Sequence, residues 1–222
     1  MKLYYSPGAC SVAVHIVLEE IGAFYETEQV LILKGENLAD PFLKINPRGQ
    51  VPVITDGPFA YRETAALLLQ LSLSHPEAQL LPAIGTSEFA HAVEWLSWIS
   101  TSPHIYLVQF WRPYRLATSA GACDEIAQQA RRNFEACCTQ IEESVQTPWF
   151  LGKQYTAVDS YLMFCFRQGN RIGLSMTEKY PKFSSWAERM LLRPAVKCVF
   201  EREEINLDGD RDKLPPQRAV TH

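Results

Sequence analysis

Over residues 1–75 the apolar positions come in short runs cut by proline and glycine, and beyond them they recur at helical spacing over longer stretches. Residues 2–5 have the pattern of a short strand that stops at the breaker Ser6-Pro7-Gly8. Residues 11–21 carry Val12, Val14, Ile16, Val17, Leu18 and Ile21. These are too many apolar positions for one exposed stripe, so they predict a mostly buried helix, with Gly22 as its C-terminal cap. Residues 25–31 mix β-branched and aromatic side chains with polar ones. They predict a second strand, parallel to the first through a right-handed crossover. Asp40 is placed to cap a short helix with Pro41 at its first position, and Asn46-Pro47-Arg48-Gly49 breaks it. Residues 51–55 and 59–62 predict the strands of a hairpin turning at Asp56-Gly57. Residues 64–73 predict a helix with Leu67, Leu68 and Leu71 inward. The order β-α-β-α-β-β-α is a small α/β sandwich.

Residues 76–86, with Pro76, Pro82 and Gly85, have the composition of a linker, and everything that follows predicts helix. Ser87 is placed to cap a long helix with Phe89, Val93, Leu96 and Ile99 on one side, and Pro103 kinks or ends it. Residues 124–145 predict a second long helix with Ile126, Ala130, Phe134, Cys137 and Ile141 in a row. Thr156-Ala157-Val158-Asp159 has the form of a capping box, and the helix behind it is strongly apolar at Val158, Leu162, Cys165, Phe166, Gly169 and Ile172. Residues 183–192 and 195–201 complete the helical half, split by Pro194. Four segments result: 1–75, the linker 76–86, the helical unit 87–205, and a polar, proline-bearing tail 206–222 that predicts a loose end.

Composition narrows the function. The 222 residues are 47% apolar and 21% charged, enough chain and enough hydrophobicity for a sizeable core. A net charge of −4, without a basic stripe, gives no support to nucleic-acid binding. The longest apolar run is too short to span a bilayer, and the N-terminus has no signal-peptide pattern, so a cytoplasmic site is the expectation. The six cysteines fit neither a disulfide framework nor a zinc site, and no metal is implied. Most of them read as small buried hydrophobes.

Three local features could carry chemistry. Cys10 sits at the mouth of the first helix, where unpaired N–H groups would favour a thiolate and Ser11 could add a hydroxyl; the plain alternative is a buried structural cysteine. Val51-Pro52 enters a strand after a Gly-Gln loop. A cis bond there would leave the Val51 backbone free to pair with an extended peptide, and the alternative is an ordinary edge-strand proline. Glu63-Thr64 starts a helix, so backbone donors plus a hydroxyl could hold a carboxylate while Glu63 holds an ammonium; the alternative is a helix start and nothing more. Taken together, the three could line one groove suited to a short, charged, thiol-bearing peptide. Phe110-Trp111-Arg112-Pro113-Tyr114-Arg115 could wall a second pocket or serve only as a packing cluster.

Ser6-Pro7-Gly8-Ala9-Cys10-Ser11, Asn46-Pro47-Arg48-Gly49-Gln50-Val51-Pro52, Glu63-Thr64 and Thr156-Ala157-Val158-Asp159 together resemble the cytosolic glutathione transferases, most closely the bacterial beta class. The resemblance spans residues 1–202. It implies a glutathione transferase fold: an α/β, thioredoxin-like N-terminal domain of order βαβ-αββα followed by an all-α C-terminal domain, assembled as a homodimer. It implies a cis Pro52 and reduced glutathione as cosubstrate, lying along Val51, with its γ-glutamyl end at Glu63 and Thr64 and its glycyl end and main chain near Lys34 and Gln50. Cys10, with Tyr5, Ser11 and His104, matches the positions around the glutathione sulfur. Phe110, Trp111 and Tyr114 would line the second-substrate pocket, for an apolar electrophile or a disulfide. The class often has Asn at position 97 and Lys at position 105, where this chain has Ser97 and Ile105. The expected activity is attack by the glutathione thiolate on an electrophile, with a detoxifying role, or exchange with a disulfide. The alternative is a non-catalytic binding or regulatory protein of the same fold.

Overall fold

A computed structural model describes residues 1–210. The first half is a four-stranded sheet in the order β2-β1-β3-β4, built from β1 (Lys2–Tyr5), β2 (Glu26–Gln29), β3 (Val53–Asp56) and β4 (Phe59–Arg62). β1 pairs in parallel with β2 and antiparallel with β3, and β3 pairs antiparallel with β4 in the register Asp56 opposite Phe59. Helices α1 (Ser11–Glu20), α2 (Asp40–Ile45) and α3 (Thr64–Ser74) flank it. β3 starts at Val53 rather than 51, because Pro52 has no N–H to give to the ladder. Ala39, not Asp40, is the N-cap of α2; Asp40 is its first residue, where a carboxylate suits the positive end of the helix.

The second half holds α4 (Ser87–Thr101), α5 (Pro103–Trp111), α6 (Ala120–Ser144), α7 (Ala157–Arg171), α8 (Met176–Lys179), α9 (Pro181–Leu191) and α10 (Pro194–Arg202). Thr86 rather than Ser87 caps α4, its hydroxyl accepting from Phe89 N–H at 3.2 Å. Ser119 starts α6 earlier than the apolar row suggested, accepting from Ala122 N–H at 3.3 Å. Pro103 separates α4 from α5 as expected. The expected linker is pinned rather than free: Leu80 is buried and its carbonyl accepts from Ala157 N–H at 2.8 Å.

α7 is the central post, buried from Ala157 to Gly169 on every side. α1 packs against α3, α7 and α10, so one core runs through both halves. Asp159, wholly buried at the start of α7, joins four donors. Its Oδ1 accepts from Phe150 N–H and Trp186 Nε1–H, both at 2.8 Å, and its Oδ2 from Thr156 N–H at 2.9 Å and the Thr156 hydroxyl at 3.0 Å. Tyr155 adds no apolar staple; its hydroxyl meets Ser160 Oγ at 2.6 Å.

The expectation of a loose end from residue 206 needs correcting over its first residues. Asn206 O accepts from Arg167 Nε at 2.8 Å, Asp210 pairs with the buried Arg167, and Leu207 O accepts from Asn170 Nδ2 at 3.0 Å. A buried guanidinium needs acceptors, and this segment supplies them. The rest of that tail, 211–222, lies outside the described residues. Among the described residues no helix is long and apolar enough to cross a membrane.

Replacing Asp159 by Ala would strand several buried donors, more than an ordinary cap loses. We expect a loss of about 3 kcal/mol or more in urea unfolding, against about 1 kcal/mol for a simple N-cap deletion.

Candidate active site

The loop after β1 delivers Cys10 to the N-cap of α1. Its Sγ donates to Val51 O across 3.4 Å, and Val51-Pro52 is cis. Thr64, buried at the first turn of α3, lies close enough for its hydroxyl to act on the Cys10 thiol. Cys10, the Val51 backbone and the start of α3 therefore lie side by side. Glu63, just before Thr64, holds φ at +70°. That is a costly conformation for a residue with a Cβ, and such strain gathers at ligand-facing positions. Its carboxylate is not free: Arg48 Nη1 meets Oε1 at 2.5 Å, with both side chains well exposed.

The expected low Cys10 pKa is not what the structure holds. Burial pushes the thiol up to about 11, outweighing the Thr64 hydroxyl, the backbone N–H and the charge of Arg112, which all pull it down. Cys10 is only 7% exposed, and a sulfur stripped of water resists ionisation despite the helix end.

Ser11 is also differently engaged. Its Oγ donates to Ser6 O and accepts from Ser6 N–H, each at 3.2 Å, so it closes the loop rather than facing the Cys10 sulfur. Tyr5 packs on His15 with ring centroids 5.4 Å apart, and the charges nearest its hydroxyl are those of Glu203 and Glu204. Lys34, at the end of a 3-10 turn (Ile32–Lys34), and Gln50 both extend exposed side chains into solvent. Gln50 O accepts from Asn46 Nδ2 at 2.6 Å, which shapes the loop before Val51.

From the helical half, α5 brings His104, whose Nδ1 lies 2.8 Å from the Tyr161 hydroxyl of α7. Burial, then the Arg112 charge, hold the His104 pKa down at about 4, so the ring is neutral at physiological pH. Tyr161 is wholly buried and feels both Cys10 and the Thr64 hydroxyl. Sequence reading missed Tyr161 because only its polar tip distinguishes it within an apolar helix. It also passed over the individual role of Arg112, at the C-terminal end of α5 and partly buried, whose charge reaches Cys10 and His104. Trp111 turns to α7, its Nε1 donating to Gln168 Oε1 at 3.3 Å under the Arg171 guanidinium, and Phe110 packs on it at 5.0 Å. Tyr114 is exposed and close to Arg112. Among the described residues no cluster of His, Cys, Asp or Glu could hold a metal ion.

Two family models match: "Glutathione S-transferase, N-terminal domain" over residues 8–72 and "Glutathione S-transferase, C-terminal domain" over residues 102–194. Glutathione S-transferase GstA of Escherichia coli O157:H7 is 30% identical over 209 residues, which is 92% of this chain and 100% of that protein. The chain belongs to the glutathione S-transferase family. A Sulfitobacter glutathione transferase homologue, solved with bound glutathione, superposes with a TM-score of 0.85 at 27% identity, covering 90% of this chain and 97% of that one. The bacterial beta class enzyme of Sphingomonas chungbukensis gives 0.81 at 28% identity over 93% of this chain and 100% of its own. The thioredoxin-like and all-helical architecture expected from the motifs is the fold of this family, and the relatives named above are glutathione transferases.

Two pH effects follow. Alkylation of Cys10 by iodoacetamide, read by mass spectrometry, should keep accelerating through pH 9 without a plateau near neutrality; a plateau at pH 6–7 would mean a thiolate at rest. Because the folded His104 pKa lies below its unfolded value, the unfolded chain binds the extra proton. His104 should therefore cost stability as pH falls from about 6.5 towards 4, and a His104→Gln variant should lose less stability over that window in urea titrations.

Proposed function

We propose that the groove between Cys10, Val51, Thr64 and His104 binds reduced glutathione and that the bound tripeptide, rather than Cys10, supplies the reactive thiolate. The observation that carries this is the Cys10 Sγ–Val51 O contact at 3.4 Å beside the start of α3, because it puts a thiol donor next to the backbone an extended peptide would pair with. Glutathione's γ-glutamyl carboxylate would meet the N–H groups at the start of α3 and the Thr64 hydroxyl, and its ammonium would meet Glu63. Lys34 and Gln50, being exposed, are free to reach the glycyl end and main chain. Residues 1–75 would form the glutathione-binding unit, with 87–205 roofing it.

The electrostatics support a division of labour. Cys10 stays protonated and can turn its S–H from Val51 O to an incoming sulfur. With Arg112 nearby, a thiolate in this place meets a donor and a positive charge. It then attacks an electrophilic carbon, expelling a leaving group, or a disulfide sulfur, expelling a thiolate. With oxidised glutathione, Cys10 can itself be glutathionylated: its sulfur bonds to one glutathionyl sulfur, the other leaves as glutathione thiolate, and the Cys10 proton passes to solvent. Arg112 and the exposed Tyr114 beside it would favour an electrophile with an aromatic or anionic part.

A homodimer is part of this reading. Phe59 and Tyr61 stack at 6.1 Å on the outer edge strand β4, and with exposed Leu73 they leave apolar surface for a second copy. Six free cysteines fit a reducing, cytoplasmic setting.

Calorimetric titration with reduced glutathione tests the site. Cys10→Ala should still bind, while its mixed disulfide with oxidised glutathione disappears from the mass spectrum. Glu63→Ala should lose about 2 kcal/mol of binding, roughly a 30-fold weaker Kd; unchanged affinity would remove Glu63 from the site.

A further inference from the structure

The Tyr161 hydroxyl has one proton and three neighbouring groups: His104 Nδ1 at 2.8 Å, Ser100 Oγ at 3.3 Å and the Thr64 hydroxyl. Which one takes it decides what His104 can do. If Tyr161 donates to His104, Nδ1 is the bare nitrogen and the proton of the neutral ring sits on Nε2. If Tyr161 donates to Ser100 or Thr64, His104 must donate from Nδ1, and Nε2 becomes a lone pair able to act as a base.

The geometry favours the first wiring. The imidazole nitrogen is the stronger acceptor and lies half an ångström closer than Ser100 Oγ, while the Thr64 hydroxyl pulls the Tyr161 pKa down, as a donor to the phenol oxygen does. Ser100 already gives its own proton to Leu96 O at 3.1 Å, the usual back-bond of a helical serine, and its contact with Tyr161 is at the long limit. The ring cannot readily turn to escape the choice. Tyr161 and Phe164 box it edge-on at centroid distances of 6.1 and 5.1 Å. Among the described residues no hydrogen bond engages Nε2, so that edge of the ring has a position to offer a ligand.

We propose that Tyr161 is a positioning residue that holds His104 as the Nε2–H tautomer, so that His104 presents a hydrogen-bond donor, not a base, to the sulfur in the groove. This deepens the glutathione reading and rests on it for the identity of the sulfur. The tautomer itself belongs to the protein without ligand, so the two ideas can fail separately. A neutral donor adds to the Cys10 thiol in stabilising a thiolate already formed. The glutathione proton then goes to bulk solvent on binding, not to His104.

The test is nitrogen NMR of the full chain with labelled histidine, in the absence of ligand, with His104 assigned by His104→Gln. Between pH 6 and 8 His104 should show a protonated Nε2 and a bare, hydrogen-bonded Nδ1. In Tyr161→Phe, the Nδ1 signal should move to that of an unbonded nitrogen. kcat with a haloarene should fall roughly 10-fold while KM for glutathione changes much less, since a donor is weakened and the peptide's charged ends keep their partners. Ser100→Ala should leave the tautomer as it is. A protonated Nδ1 in the unmodified protein would overturn the proposal, and this result needs no variant to fold. So would an unmoved Nδ1 signal in folded Tyr161→Phe, or a tautomer change in Ser100→Ala. Absence of glutathione binding alongside the predicted tautomer would instead count against the reading of the groove.

Discussion

The peptide around Gly8 is gripped from both sides by the helical half, and the position of Cys10 depends on that grip. Gly8 N–H donates to Glu203 Oε2 at 2.8 Å, while its carbonyl accepts from Arg167 at 3.1 Å and Gln168 at 3.0 Å. The backbone there holds φ at +65°, and a Cβ would run into the Arg167 guanidinium, so only glycine fits. Glu203 is itself buried and shares its other oxygen with His15 of α1 at 2.8 Å. Buried charges of this kind are costly unless fully partnered. Their partners here are the loop that presents Cys10, the helix that follows it, and a C-terminal segment nearly 200 residues away. The two halves therefore fold into one object, and the site lies where they meet.

That arrangement explains why the site's ionisable groups are mostly neutral. Cys10, His104 and Tyr161 are all driven towards their uncharged forms by burial, while Arg112 keeps its charge close by. A groove of neutral donors beside one cation has no resident anion of its own to neutralise it. An incoming thiolate is stabilised without first displacing one, provided its own sulfur stays nearer to water than Cys10 does. Glu63 is the acidic exception at the rim; it is already paired with Arg48, and an ammonium must share or replace that partner.

Local signals made much of this legible. The alternation of short apolar runs with proline and glycine located the four described strands and the first three helices to within a few residues, because the breakers mark where each element must end. Pro52 and the Thr156/Asp159 pair marked their special roles because those residue types are suited to them. What stayed hidden were the long-range choices. Nothing at positions 206–210 announces that a buried arginine in α7 needs them as acceptors. Tyr161 looks like one more apolar-face residue until His104 arrives from another helix. The Cys10 pKa was misjudged for the same reason: the helix end is visible in the sequence, whereas the burial that overrides it comes from Val51, Thr64 and the packing around α1.

On the proposed reading, the groove ionises a bound thiol while its own cysteine stays protonated. The most direct measurement is the ultraviolet absorbance of thiolate in the Cys10→Ala protein saturated with glutathione, titrated from pH 5 to 10. Cys10 contributes no signal there, and subtraction of the ligand-free protein isolates the bound sulfur. The bound thiol should ionise well below the ordinary value of about 8.5 for a free thiol. Ionisation at or above that value would mean that the groove does not stabilise the thiolate.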